Sequence, residues 1–183
     1  MNGIVMVTGA TAGFGRAIAV RFASEGYGVI ITGRRKDRLD ELERELTRSG
    51  AKVLPLNFDV RSKTEVEHVL NRIPDAWKEV GILVNNAGLA AGLSHIDQGD
   101  TDDWERMIDT NVKGLLYVTR TIVPVMIARG GGHIINISSI AGSDIYENGN
   151  VYCATKSAVN SLSRAMRIDL LGHNIKVTNI APG

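Results

Sequence analysis

A single cysteine, Cys153, stands in the 183 residues, so no intramolecular disulfide is available and a packed core must hold the chain. Aromatic residues make up 5% and prolines number four, which leaves no room for proline-rich linkers or aromatic-laced polar tracts. Neither sign of charge dominates. Lys and Arg total 21 against 20 Asp and Glu, so a broad nucleic-acid or anionic-membrane surface is not indicated, and any charge recognition has to be local. Long apolar runs are missing as well: the N-terminal one, Ile4 to Val7, is too short for a signal or a membrane span. These absences point to a reducing cytoplasm. With 44% hydrophobic and 22% charged residues, no internal repeat and no linker, residues 1–183 read as a single globular domain. The Asn136-Ile137-Ser138 sequon lies inside an apolar strand pattern and carries almost no weight.

What is present is alternation. Short Val- and Ile-rich runs begin at Ile4, Val29, Val53, Ile82, Ile134 and Ile175, and helix-length segments separate them. Runs apolar at nearly every position suit strands covered on both faces, and the long spacers suit right-handed parallel crossovers. The pattern predicts an α/β protein with a Rossmann-type, doubly wound parallel sheet of six strands. Among the spacers, Ile18 and Phe22 mark one helix over Ala17 to Ser24. Leu39, Leu42 and Leu46 mark a second, and Val66, Val69, Leu70 and Ile73 a third. Asp102 to Arg129 reads as one helix that Gly114 or Pro124 bends or divides, and Asn150 to Leu171 as the last.

After the first strand comes Thr8-Gly9-Ala10-Thr11-Ala12-Gly13-Phe14-Gly15 and then a helix. Glycines let backbone approach a pyrophosphate, and the free N–H groups at a helix start favour its charge. Gly9, Thr11, Gly13, Phe14 and Gly15 are therefore candidate dinucleotide-binding residues; the alternative is a tight turn without a ligand. NAD sites place an acid after the second strand, where it accepts from the adenosine ribose 2′-OH. Here that strand ends Thr32-Gly33-Arg34-Arg35. Two guanidiniums at that point suit a 2′-phosphate, which favours NADP, unless Arg34, Arg35, Lys36 and Arg38 only form a solvated basic corner. Asp37, the first acid, is placed to cap the helix that follows. Phe58-Asp59-Val60 and Asn85-Asn86-Ala87-Gly88 fall at the carboxyl ends of strands three and four, where open α/β sheets bind ligands. The two asparagines could equally hold the turn.

Tyr152-Cys153-Ala154-Thr155-Lys156 puts a phenol and an ammonium four apart on one helix face. Carbonyl reduction needs a proton for the developing alkoxide, and a free tyrosine, pKa ~10, exchanges poorly at neutral pH. One ammonium ~4 Å away, at an effective dielectric of ~20, supplies roughly the 4 kcal/mol needed to bring it near neutrality. Ser139 lies thirteen residues before the tyrosine, Ser138 is its neighbouring competitor, and Asn111 stands in Asp109-Thr110-Asn111-Val112-Lys113-Gly114. Cys153, Trp77, Trp104 and His133 read as packing residues.

The T-G-x-x-x-G-x-G loop and the ordered Asn111, Ser139, Tyr152 and Lys156 resemble the short-chain dehydrogenase/reductase family over Ile4 to Gly183. The resemblance implies that Tyr152 is the acid/base and that Lys156 holds the nicotinamide ribose. It further implies that Ser139 bonds the substrate oxygen, Asn111 supports the lysine through water, Asp59 and Val60 contact adenine, and Asn86 lies along the cofactor. Gly-Ala-Thr-Ala-Gly-Phe-Gly, Gly-Arg-Arg, Asp-Thr-Asn-x-Lys-Gly and Gly-Asn-Val-Tyr-x-Ala-Thr-Lys are similar to NADP-dependent 3-hydroxy acid dehydrogenases acting on serine or allo-threonine. Asp144-Ile145-Tyr146 departs from the Trp-Pro-Tyr of that group, and Asp144 and Glu147 stand where an acid substrate would want a cation. A reductase of a 3-ketoacyl thioester or a sugar, and a non-catalytic NADP sensor, are the alternatives. The resemblance also implies homodimers or homotetramers packed through the Asp102 to Arg129 and Asn150 to Leu171 helices. It implies a further substrate-covering segment and seventh strand beyond Gly183, so that the domain is C-terminally incomplete.

Overall fold

The computed structural model describes residues 2–183. Six strands form one parallel sheet: β1 (Ile4–Val7), β2 (Gly28–Gly33), β3 (Val53–Asn57), β4 (Val80–Asn85), β5 (Gly132–Ile137) and β6 (Ile175–Ile180). Their order is β3-β2-β1-β4-β5-β6. The order reverses between β1 and β4, with Val7 paired to Ile31 on one side and to Val84 on the other. Loops after β1 and β4 therefore diverge to opposite faces, and the gap between them is the crevice in which such sheets bind ligands.

Alternate residues of the inner strands feed two cores. Ile4, Met6 and Ile30 pack on one face with α3 (Lys63–Leu70), α5 (Leu115–Ala128) and α6 (Asn150–Asp169). Val5, Val7, Val29 and Ile31 pack on the other with α1 (Gly13–Ser24) and α2 (Lys36–Arg48). Each fully buried Val, Leu or Ile contributes about 1.5–3 kcal/mol, so the sheet centre holds the glycine loop on a rigid base. Leu39, Leu42 and Leu46 of α2 are buried as their spacing requires.

Several element boundaries differ from the sequence reading. Helix α1 starts at Gly13, inside the glycine loop, and its buried face runs on the small residues Gly15, Ala19 and Ala23, which bring it close to the sheet. Ile18 and Phe22 are only partly buried at the edge of that core, and Phe22 meets Tyr27 edge to face. Asp37 does not cap α2: Arg35 holds the N-cap position, and Asp37 sits in the first turn, where its charge favours the helix N-terminus. Ile73 is buried but lies beyond α3. The last long helix ends at Asp169, and Leu171–His173 forms a separate short turn.

The largest difference concerns the expected helix over 102–129. It is divided at the Gly114 side, by a π-helical turn, Asp109–Gly114, between α4 (Thr101–Ile108) and α5. Pro124 is accommodated inside α5. A Cβ at Gly114 would lie 2.8 Å from Val60 Cγ2, so only glycine lets the widened turn sit against the loop after β3. Such turns are frequent at functional sites.

Candidate active site

A cleft of about 490 Å³ opens along the carboxyl ends of the strands. Gly9, Thr11, Gly13, Phe14, Arg34, Arg35, Asp59, Val60, Asn86, Ser139, Tyr152 and Lys156 all line it. Gly15 and Asn111 stand behind this wall and shape it.

The glycine loop is packed against the turn after β4. Gly9 has φ +65°, and a Cβ on Gly15 would fall 2.3 Å from Asn86 Nδ2 and 2.4 Å from the Gly9 carbonyl oxygen, so any larger residue would push the loop outward. Asn86 holds the loop in turn, its Nδ2 donating to the Thr8 carbonyl at 2.8 Å and to that of Gly9 at 3.2 Å. Asn86 thus holds the turn and also lines the cleft. Thr8, to which the sequence reading gave no part, is central here: its Oγ1 accepts from the backbone N–H groups of Asn86 and Ala87, each at 3.0 Å. Its only sequence signal was its place before the first glycine. Above Gly13, at φ +51°, a Cβ would meet nothing within 4 Å, so the start of α1 faces open space. A cradle of free glycine backbone at a helix N-terminus fits a pyrophosphate.

Past β2, Arg35 reaches back over the loop and donates to Thr11 Oγ1 at 2.8 Å. Arg34 is 3.6 Å from Asp59 Oδ2. Neither is buried, and both face the cleft mouth. Asp59 also takes two hydrogen bonds from the Arg61 guanidinium, at 2.7 and 2.9 Å, and one from the Arg61 N–H. Burial pushes the Asp59 carboxyl up. The Arg61 hydrogen bonds and the Arg61 and Arg34 charges outweigh that and leave it below the usual carboxylate range. Asp59 is thus an ionised acceptor whose oxygens are largely engaged by its own loop.

At the other end of the cleft, α6 carries Tyr152 and Lys156 on one face, with Lys156 Nζ 5.8 Å from the centre of the Tyr152 ring. Lys156 is buried, and its ammonium donates to the Ile137 carbonyl at 3.0 Å. Desolvation pulls its pKa down to about 8, which leaves it mostly charged at neutral pH.

The two serines separate by their hydrogen bonds. Ser138 is buried and its hydroxyl is engaged by Asn160 Oδ1 at 2.7 Å and the Lys156 carbonyl at 3.2 Å. Ser139 only accepts, from the Ala141 N–H at 3.1 Å, which leaves its own proton for the cleft. Asn111 is buried in the π-helical turn and clamps Leu89, accepting from its N–H at 2.8 Å and donating to its carbonyl at 2.9 Å. A Cβ at Gly88 would be 3.3 Å from Asn111 Oδ1 and 3.5 Å from Lys156 Nζ, so both side chains come close to the same point.

The packing residues fall outside this chemistry. Cys153 is buried, Trp77 packs on the core, and Trp104 covers Gly99. His133 pairs with Thr178 Oγ1 at 2.8 Å, and among the described residues no cluster of His, Cys, Asp and Glu could hold a metal. Asn136 of the sequon is fully buried and bonded to Asn85 and Ser163. No described helix is long and apolar enough to cross a membrane.

Comparison with known proteins agrees with this geometry. The family model described as short chain dehydrogenase matches residues 3–183. The NADP-dependent 3-hydroxy acid dehydrogenase YdfG of Escherichia coli (strain K12) is 51% identical over 180 residues, covering 98% of this chain and 71% of the relative. The crystal structure of serine dehydrogenase from Escherichia coli superposes with a TM-score of 0.94 at 50% identity, covering 98% of this chain and 82% of that one. A closed form of serine dehydrogenase complexed with NADP+ gives the same TM-score and identity, with 98% and 71% covered. The cleft, the sheet order and the matched motifs agree in one conclusion: this chain belongs to the short chain dehydrogenase family.

Proposed function

We propose that this enzyme transfers hydride between NADP and a small 3-hydroxy acid, such as serine or allo-threonine, or its carbonyl form. The observation that carries the reading is that one cleft has Arg34 and Arg35 at its mouth and Ser139, Tyr152 and Lys156 at its far end. The glycine loop between them fits a pyrophosphate, and the paired guanidiniums fit a 2′-phosphate better than a ribose hydroxyl. Relatives at about half identity that are named for NADP and for hydroxy acids support the same cofactor and substrate class.

The residues divide the work by chemistry. When bound, the dinucleotide supplies or accepts the hydride. Tyr152 gives its phenolic proton to the substrate oxygen during reduction and takes it back during oxidation. The Lys156 ammonium, fixed by the Ile137 carbonyl, stabilises negative charge on the phenol oxygen and has two further N–H groups for the nicotinamide ribose. Ser139 donates to the substrate oxygen with the proton its own hydrogen bonding leaves free. Asn111 ties Leu89 to the helix carrying the pair and thereby supports the lysine's position. Phe14, Asp59, Val60 and Asn86 bound the adenosine and pyrophosphate end.

One observation favours a second reading, a reductase of an uncharged carbonyl. The hollow on the other side of Tyr152, about 110 Å³, is lined by Asp100 and Asp103 and by no Lys, Arg or His. A carboxylate has no cation there, and the nearby loop offers Asp144 and Glu147. Reduced-nicotinamide absorbance with a panel of 3-hydroxy acids, a 3-ketoacyl thioester and sugars separates the readings. Fastest turnover of serine, allo-threonine or another 3-hydroxy acid with NADP supports the proposal. Turnover confined to uncharged carbonyls supports the second reading, and no turnover of any contradicts both.

A further inference from the structure

Four buried side-chain atoms among the described residues have no hydrogen-bond partner: Thr32 Oγ1, Asn85 Oδ1, Thr110 Oγ1 and Asn148 Oδ1. Of these residues only Thr110 lines the cleft. It is 8% exposed, so its hydroxyl is almost fully withdrawn from bulk water. A helical threonine ordinarily satisfies itself on a carbonyl one turn back, as Thr121 does on Tyr117 at 2.9 Å and Thr155 on Tyr152 at 2.7 Å. Thr110, in the π-helical turn, makes no such bond. A native buried hydroxyl left open in this way calls for an explanation, and the cleft in front of it supplies one.

Its neighbours locate it along the cleft. Gly114 of the same turn abuts Val60, and the adjoining Asn111 clamps Leu89, so Thr110 belongs to the wall that follows β3 and β4. That wall also carries Phe58 and Asp59 and lies towards Arg34. We infer that the Thr110 hydroxyl makes a hydrogen bond to the adenosine half of the bound dinucleotide, as a binding residue that the glycine loop and the arginines do not account for. The inference rests on the NADP reading above. A threonine hydroxyl both donates and accepts, so it suits a purine edge or a ribose oxygen.

Thr110→Val removes the hydroxyl and keeps the branched shape, and Thr110→Ser keeps the hydroxyl. Calorimetric titration with NADPH and with adenosine 2′,5′-bisphosphate is expected to show both weakened in Thr110→Val by a factor on the order of three to ten, the range of one neutral hydrogen bond. Thr110→Ser should bind both as the parent does. The ligand-free melting temperature should not fall in Thr110→Val, because the hydroxyl has no partner in the protein to lose. Should that variant fail to fold, Thr110→Ala carries the same comparison. A parent that does not bind NADPH overturns the cofactor reading and this inference together. A parent that binds while Thr110→Val binds equally well overturns this inference alone. Loss for NADPH without loss for the bisphosphate overturns the placement at the adenosine half.

Discussion

Asn111 Nδ2 donates to Thr155 Oγ1 at 3.0 Å, and this bond joins the π-helical turn to the helix that carries Tyr152 and Lys156. The Thr155 hydroxyl donates in turn to the Tyr152 carbonyl at 2.7 Å, and Asn111 also grips Leu89 through both amide atoms. The loop after β4, the π-helical turn and the first turns of α6 are thereby locked together on buried hydrogen bonds. Thr155→Val leaves the Asn111 amide with one partner fewer in the interior, and we expect a loss of about 1–3 kcal/mol. Chemical denaturation measures it; a variant as stable as the parent contradicts the locking role.

Under the proposed function, cofactor choice rests on the two guanidiniums beyond β2. Arg35 is already braced on Thr11 and Arg34 on Asp59, so both are held near the cleft mouth before any phosphate arrives. Charge-assisted hydrogen bonds contribute about 1.5–3 kcal/mol each, and removing both with Arg34→Ala and Arg35→Ala should weaken NADPH by tens-fold or more. NADH, which lacks the 2′-phosphate, should be affected only a few-fold. Equal losses for the two cofactors in parallel titrations would refute the role.

Acid lability should have a contribution from His133. Burial, and then the Lys176 charge, lower its pKa, so the folded state keeps the imidazole neutral while the unfolded chain takes up a proton at about 6.5. The unfolded state then binds more protons, and stability falls with falling pH from about 6.5 down to the folded value. His133→Gln removes the titration and keeps a polar side chain facing Thr178. Melting temperatures measured across that range should fall less steeply in the variant, and identical slopes would contradict the assignment.

The sheet was readable because strands covered on both faces must be apolar almost throughout, and β1, Ile4 to Val7, is buried at every position as its pattern requires. The cleft residues were readable because glycines, paired arginines and a Tyr-x-x-x-Lys spacing carry their chemistry in residue type. The π-helical turn was not, since one extra residue in a helical turn leaves no mark in a hydrophobic period; it depends on Gly114 meeting Val60 and Asn111 meeting Leu89 across the fold. Thr8 and Thr110 escaped for the same reason. A threonine's importance lies in which distant backbone it faces or fails to face, as Thr8 does with Asn86 and Ala87. Between Ser138 and Ser139 the sequence offered only the thirteen-residue spacing to Tyr152; the hydrogen bond from Ser138 to Asn160, 22 residues on, is visible only in the fold.

The most direct test of the account is Tyr152→Phe, assayed for hydride transfer and for NADPH binding on the same preparation. The change removes one hydroxyl and keeps the ring over which Lys156 sits at 5.8 Å. General acid–base catalysis contributes about 10²- to 10⁴-fold, so turnover should fall by at least that much while NADPH affinity stays within a few-fold of the parent. Turnover within a few-fold of the parent, with binding intact, would show that another group moves the proton.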